Sequence, residues 1–177
     1  MNLRVRSRND EGERRHHVTP RSAGWTYVGF DLWDLSPPDF VEGGKDDREV
    51  CLVFVSGKGK VIVDGKDFGE LGQRVSPFEG PPQAVYVPAG AAWFVNATTP
   101  LTLAACTAPG GGGYAPRIID VPKQITRGKG TNTRYVTNIL PETEPAHSLL
   151  VVEVITPGGN TSSYPPHKHD TDNLPSE

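Results

Sequence analysis

The sequence of 177 residues has few of the features that are typical of secreted or disulfide-rich proteins. It contains only two cysteines, Cys51 and Cys106, and both lie within apolar runs, which indicates buried thiols rather than a disulfide framework. Residues 1–17 are charged and lack the apolar stretch of a secretion signal, so we interpret them as an N-terminal arm. These absences favour a reducing, cytoplasmic location.

Long apolar runs and strongly basic stretches are absent as well. The longest apolar segments have the length of a strand and are far shorter than a membrane span. Lysine and arginine number 18 against 21 aspartates and glutamates, and no basic stripe is interleaved with aromatic residues. We therefore expect neither a membrane nor a nucleic acid as partner.

Amphipathic helices are also missing, whereas turn-forming residues are abundant, with 20 glycines and 17 prolines. Residues 25–35 alternate between apolar and polar positions, as a half-buried strand does. Residues 49–56 are almost entirely apolar after their first residue, which predicts a strand covered on both faces. The Gly-Lys-Gly sequence at residues 57–59 then predicts a hairpin into residues 60–64. Further strands are expected at residues 84–87, 92–95 and 101–107, so the sequence predicts an all-β sandwich or barrel.

The clearest break in composition lies at residues 109–116, which include four consecutive glycines. We place a domain boundary there, with a first barrel over residues 18–115 and the beginning of a second over residues 116–177. The strands of the second part are predicted at residues 117–119, 134–140 and 149–156. So few strands cannot close a barrel, and the sequence ends on polar, turn-forming residues. We therefore expect a second barrel that is cut short.

A candidate metal half-site lies at residues 164–170, which read YPPHKHD. On an extended segment, His167 and His169 point to one side and Lys168 to the other. Such a pair can present two imidazole nitrogens to one divalent ion, although a carboxylate and a further histidine would have to come from elsewhere. The alternative is a solvated loop. His147 shows no ligand spacing to this pair and is interpreted as a loop residue.

Two segments of the first part resemble the motifs of cupin barrels. One is the strand that begins at Glu49, and the other is the sequence PAGAAW at residues 88–93. In cupins the last position of the second motif is a histidine that binds metal, but Trp93 stands there. Residues 44–48 (GKDDR) stand where the family has its His-x-His. The resemblance implies a first cupin barrel without metal ligands, in which Glu49 is structural.

Four longer stretches extend this resemblance to a particular family. Residues 23–30, 127–136, 138–142 and 149–175 resemble the 5-deoxy-glucuronate isomerases of myo-inositol catabolism. These are bicupin intramolecular oxidoreductases, and the resemblance implies interconversion of 5-deoxy-D-glucuronate and 5-dehydro-2-deoxy-D-gluconate. It also implies that His167 and His169 match two of four metal ligands, with the glutamate and the last histidine beyond the end of this sequence. Activity of these residues alone is therefore expected to be impaired.

The resemblance implies a divalent metal, for which zinc suits histidine and carboxylate ligands, with manganese and iron as alternatives. The sugar-acid substrate carries a carboxylate that calls for a cation. Arg134 is the first candidate for this contact and Lys168 the second. A salt bridge at a strand edge is the alternative role for Arg134. The base that moves the proton is not identified by the sequence, so no catalytic residue is assigned.

Two other functions remain open from the sequence. The same scaffold serves metal-dependent cupin oxygenases, because one fold hosts many chemistries. A non-catalytic cupin module that binds a sugar acid is the second alternative. In either case the exposed strand edge expected at residues 149–156 favours pairing with another chain, so a homo-oligomer is compatible with the sequence.

Overall fold

A computed structural model of the protein describes residues 5–6, 14–121 and 123–162. The described residues confirm the predicted all-β class. Helical structure among them is limited to one turn, α1 (Pro20–Ala23), and a 3₁₀ turn at Gly130–Asn132. The strands are β1 (Arg14–Val18), β2 (Gly29–Leu35), β3 (Phe40–Gly43), β4 (Arg48–Ser56), β5 (Gly59–Val63), β6 (Lys66–Leu71), β7 (Gln83–Val87), β8 (Trp93–Ala97), β9 (Leu101–Pro109), β10 (Arg117–Ile119), β11 (Ile125–Arg127), β12 (Arg134–Leu140) and β13 (Val151–Ile155).

These strands form three sheets in which every pairing is antiparallel. The central sheet has the order β1-β2-β9-β4-β7-β10, and the four-stranded barrel sheet has the order β3-β8-β5-β6. The outer sheet consists of β11, β12 and β13. The central and barrel sheets enclose one hydrophobic core, as expected for a cupin-type sandwich. The outer sheet packs on the opposite face of the central sheet and encloses a second core with it.

Strand β4 shows why the central sheet is apolar on both faces. Val50, Leu52 and Phe54 belong to the core shared with the barrel sheet. Cys51 and Val53 alternate with them and belong to the core shared with the outer sheet. The prediction of a strand covered on both faces is therefore confirmed. Burial of each large side chain contributes about 1.5–3 kcal/mol, so this strand contributes strongly to the stability of the fold.

The predicted hairpin between residues 49–56 and 60–64 is wrong. Strand β4 belongs to the central sheet, whereas β5 pairs with β6 and β8 in the barrel sheet. Gly57 has a φ of 82°, and a Cβ there would lie 1.9 Å from the carbonyl oxygen of Pro100, so the chain bends tightly and crosses between sheets. The hairpin is formed instead by β5 and β6. Asp64 and Gly65, both at positive φ, make its turn.

The N-terminal edge of the central sheet begins within the arm predicted for residues 1–17. Residues 14–18 form β1, which pairs with β2. Its side chains lie over acidic residues of β2: the His17 Nδ1 atom lies 2.6 Å from an Asp31 carboxylate oxygen, and Arg15 forms an ion pair with Asp34. Edge strands that carry charge in this way resist pairing with other chains.

The second core joins residues from both sides of the glycine-rich stretch at 109–116. Tyr86 and Ala104 come from the central sheet, whereas Ile139, Leu140 and Leu149 come from the outer sheet or the loop before β13. The domain division at residue 116 stays a prediction. No helix in the described ranges is long and apolar enough to span a membrane.

Candidate functional site

The predicted site residues fall into two groups. His167, Lys168 and His169 lie outside the described residues. Arg134 is described and is the first residue of β12. Within residues 5–6, 14–121 and 123–162, no group of three or more histidine, cysteine, aspartate or glutamate side chains is placed to hold a metal ion. Arg134 and the segment that leads to the histidines are therefore the described parts of the candidate site.

Arg134 follows a tight loop that orients its guanidinium group. Gly128 has a φ of 80°, and a Cβ there would lie 2.1 Å from the carbonyl oxygen of Asn132, so the loop closes only with glycine at this position. The same carbonyl accepts a hydrogen bond from Arg134 Nη1 at 3.2 Å. Arg134 itself is half-buried. The loop thus holds one nitrogen of the guanidinium group while the side chain keeps access to solvent.

The segment that follows β13 is fastened to this loop. The backbone N–H of Thr161 donates to the carbonyl of Thr131 at 2.8 Å, and the Thr161 hydroxyl bonds to Asn132 Oδ1 at 2.8 Å. The Asn160 side chain donates to the carbonyl of Thr133 at 2.9 Å. Thr161 precedes His167 by six residues in the sequence. Arg134 and the start of the histidine-bearing segment are therefore parts of one hydrogen-bonded unit.

Arg134 projects from the face of the outer sheet that points away from the first barrel. Successive side chains of a strand alternate between faces, so Arg134 and Val136 share a face while Tyr135 lies on the other. Val136 pairs with Val154 on this outward face. Val154 is 42% exposed, so this part of the face is open to solvent.

The position of the outer sheet depends on a buried carboxylate of the first barrel, Glu49. Its side chain is fully buried and faces the outer sheet rather than the barrel core, because its neighbour Val50 faces the barrel core. One oxygen accepts from the Tyr86 hydroxyl at 2.7 Å and from the N–H of His147 at 2.9 Å. The other accepts from the N–H groups of Ser148 at 2.7 Å and Leu149 at 2.6 Å. This geometry supports the structural role that the sequence suggests for Glu49.

Hydrogen bonding determines the charge state of this carboxylate. Burial by itself acts to raise the pKa of Glu49. The hydrogen bonds from the His147 N–H, the Tyr86 hydroxyl and the N–H groups of Ser148 and Leu149 favour the ionised form and bring the pKa below its ordinary value of 4.5. Burial, together with the bond to Glu49, raises the pKa of Tyr86, so its hydroxyl remains a donor. Glu49 is therefore an anion at neutral pH, and it binds the loop before β13.

A second buried contact fastens the middle of β13. Arg74 is 5% exposed and pairs through both terminal nitrogens with the two carboxylate oxygens of Glu153. Its Nε atom donates to the carbonyl of Val55 at 2.8 Å. Planar pairs of this kind fix orientation as well as charge. Glu49 and Arg74 together therefore set where β13 lies on the first barrel.

Trp93 occupies a core position in the first barrel. It is 8% exposed and meets Trp33 edge-to-face, with ring centroids 6.3 Å apart. A Cβ at Gly43 would lie 2.2 Å from Trp93 Nε1, so the indole packs directly on the backbone of β3. An indole therefore fills the place where the resemblance to cupins puts a metal-binding histidine.

One further histidine and the two cysteines have contacts that are typical of structural residues. His147 lies in the loop before β13, as predicted, with Nδ1 3.3 Å from the carbonyl of Pro109. Cys51 and Cys106 are free thiols that face each other across β4 and β9. Burial raises the pKa of Cys106 to about 11, so this thiol stays protonated at neutral pH.

Comparisons with known proteins agree along nearly the whole chain. A family model described as KduI/IolB matches residues 3–177. Proteins named 5-deoxy-glucuronate isomerase from Geobacillus kaustophilus and Geobacillus thermodenitrificans are each 47% identical over 175 residues, which cover 97% of this chain and 63% of theirs. The crystal structure of an IolB-like protein from Salmonella typhimurium has a TM-score of 0.89 and 46% identity, and the match covers 94% of this chain and 65% of that one. The chain thus spans slightly less than two thirds of the length of these relatives.

Proposed function

Because the chain belongs to the KduI/IolB family, we propose that its protein is a sugar-acid isomerase that interconverts 5-deoxy-glucuronate and 5-dehydro-2-deoxy-gluconate. The observation that carries this proposal is the 47% identity, over 97% of the chain, to proteins named for that activity. The substrate is a small sugar acid, and the reaction is an intramolecular transfer of hydrogen between neighbouring carbons. The free thiols are compatible with the cytoplasmic location expected from the sequence.

The proposal places substrate at the outward face of the outer sheet. Arg134 projects from this face, and a guanidinium group binds a carboxylate through paired hydrogen bonds. Asn132 occupies one of its nitrogens, which restricts how the group can turn. Val152 and Val154 make the same face apolar and exposed. We propose that it is the inner face of the second barrel, where substrate would be shielded from water.

His167 and His169, which follow Thr161 in the sequence, are the proposed metal ligands. Two imidazoles are a partial donor set and the described residues contain no complete one, so the proposal requires at least one further donor. Zinc is the first candidate and manganese or iron the alternatives. When bound, a divalent ion supplies Lewis-acid stabilisation of the negative oxygen that forms when a proton leaves the carbon next to a carbonyl.

An anaerobic assay separates this proposal from the other functions of cupins. We expect the protein, supplied with a divalent ion, to convert 5-deoxy-glucuronate into the ketone without oxygen, as followed by NMR. Conversion that requires oxygen and consumes it would identify an oxygenase instead. Binding of the sugar acid without conversion by a metal-loaded protein would identify a binding module.

Replacement of Arg134 tests the proposed carboxylate contact. For Arg134→Ala we expect the KM for 5-deoxy-glucuronate to rise by roughly tenfold to a hundredfold, because a charge-assisted hydrogen bond is worth about 1.5–3 kcal/mol. Arg21→Ala is a control, since Arg21 is an exposed arginine of α1 and does not belong to the outer sheet. Equal effects of the two replacements on KM would show that Arg134 has no special role.

We also propose that copies of the protein associate with one another. Strand β13 is an edge of the outer sheet as far as the described residues show, and Val152 on it is 54% exposed. Edges of this kind pair with further strands. A second copy of the protein is one source of such strands. Light scattering of the purified protein measures its oligomeric state.

A further inference from the structure

A pocket of about 420 Å³ opens on the other face of the outer sheet. It lies between the loop that joins β6 to β7 and the strands β12 and β13. Tyr135 and Ile155, which are register partners, form its floor. Because Tyr135 and Arg134 are consecutive in a strand, the pocket opens on the face opposite to the one from which Arg134 projects.

The walls of this pocket are held together by the buried guanidinium group of Arg74. Its Nη1 atom donates to the carbonyls of Gly80 at 3.2 Å and Pro77 at 3.4 Å, both of which line the pocket. The same atom donates at 2.9 Å to Glu153, two residues before Ile155 in β13. One side chain thus ties the loop wall to the sheet floor. The pocket is formed before any ligand arrives, which lowers the entropic cost of binding.

The chemistry of the lining is aromatic and apolar with one positive charge. Phe78 and Tyr135 both line the pocket and are 77% and 37% exposed, so two aromatic residues are accessible to a ligand. Two prolines add apolar surface without N–H groups that would need a partner. Lys123 supplies an ammonium group that forms no ion pair with any residue of the described ranges, and Gln124 supplies an amide beside it. A flat apolar ligand with a single negative charge complements this lining.

We propose that the pocket binds a small aromatic carboxylate, with the ring against Phe78 and Tyr135 and the carboxylate at Lys123. The apolar lining disfavours a polyhydroxylated sugar acid, whose hydroxyl groups would lose water without gaining partners. This site is independent of the isomerisation proposed above and of the metal half-site.

Titration with benzoate, followed by protein NMR, tests the proposal on the 177-residue chain. We expect a Kd of about 1 mM, which is ordinary for a ligand of this size. Benzamide, which has the same shape without the charge, should bind roughly fivefold more weakly, because an exposed ion pair contributes up to about 1 kcal/mol. Glucuronate, which has the charge without an aromatic ring, should not bind at this pocket.

Variants locate the site and separate the contribution of the charge from that of the aromatic ring. Lys123→Gln should weaken benzoate roughly fivefold and leave benzamide unchanged, whereas Phe78→Ala should weaken both ligands. Lys66→Gln is the matched control, because Lys66 is an exposed lysine of the barrel sheet. The proposal is overturned by absence of benzoate binding up to about 10 mM, by binding of glucuronate at this pocket tighter than that of benzoate, or by equal effects of Lys123→Gln and Lys66→Gln. All these residues are exposed, and amide spectra of each variant without ligand report whether it is folded.

Discussion

Replacement of Glu49 by glutamine is expected to lower the free energy of unfolding by about 3 kcal/mol. Glutamine has the shape of glutamate, so no cavity is formed, but its NH₂ group cannot accept a hydrogen bond. Two of the four donors around Glu49 therefore lose their acceptor. Each buried donor left without a partner costs about 1–3 kcal/mol. Urea denaturation of the two proteins at neutral pH measures the difference.

Tyr86→Phe is the matched control for this experiment. It removes one donor to Glu49 and leaves the three backbone donors in place, so we expect a loss of about 1 kcal/mol. A Glu49→Gln variant as stable as the wild type would contradict the structural role of this carboxylate. Equal losses in the two variants would show that the backbone N–H groups of residues 147–149 contribute little.

The pH dependence of stability provides an independent check on Glu49. Its pKa in the folded protein is below the ordinary value of 4.5, so the contribution of the charged carboxylate is fully present above about pH 4.5. That contribution is lost as the pH falls through the lower pKa of the folded state. We therefore expect the stability difference between wild type and Glu49→Gln to shrink on acidification below pH 4.5. A difference that grows below this pH would mean that burial outweighs the hydrogen bonds.

Replacement of His167 by alanine is expected to abolish metal binding and turnover together. Loss of groups that merely orient a ligand costs about 10–100-fold in metal affinity, and loss of a ligand itself should cost more. Elemental analysis after a mild chelator wash measures the metal retained by each protein. Turnover of 5-deoxy-glucuronate should fall to the background rate in the same samples.

Lys168→Ala is the control for the metal measurement. On an extended segment Lys168 points away from the two imidazoles, and an ammonium group is not a metal ligand. We expect this variant to retain the metal. Retention of the ion by His167→Ala would mean that the metal is bound elsewhere, and loss by both variants would point to a general effect on the segment.

Local sequence patterns predicted those parts of the fold that depend on residues close together in the sequence. The nearly continuous apolar run of β4 indicates burial on both faces, and the structure places a core on each side of it. The Gly-Lys-Gly turn indicates that the chain reverses, but it does not indicate which sheet the next strand joins. That choice depends on the packing of Gly57 against Pro100, which lies 43 residues further along the sequence.

The polar contacts that position the outer sheet join residues far apart in the chain, and no local sequence pattern indicates them. Glu49 binds the backbone of residues 147–149, about a hundred residues away, and backbone N–H groups leave no mark in a sequence. Arg74 lies in a stretch of prolines and glycines that reads as an ordinary loop, and its partner Glu153 is 79 residues away. Arg134 is predicted from the carboxylate of the implied substrate and from its place after a turn that contains glycine. The bond that orients it became visible only in the structure.

The most direct test of the proposed isomerisation is an NMR experiment in D₂O with the metal-loaded protein and 5-deoxy-glucuronate. Proton removal next to a carbonyl by a group that exchanges with solvent transfers deuterium to carbon. We expect a mixture of aldehyde and ketone with deuterium at the exchanged carbon, formed without oxygen and absent with His167→Ala. A protein that holds a metal through His167 and His169 yet neither interconverts the two sugar acids nor exchanges this hydrogen would contradict the proposed function.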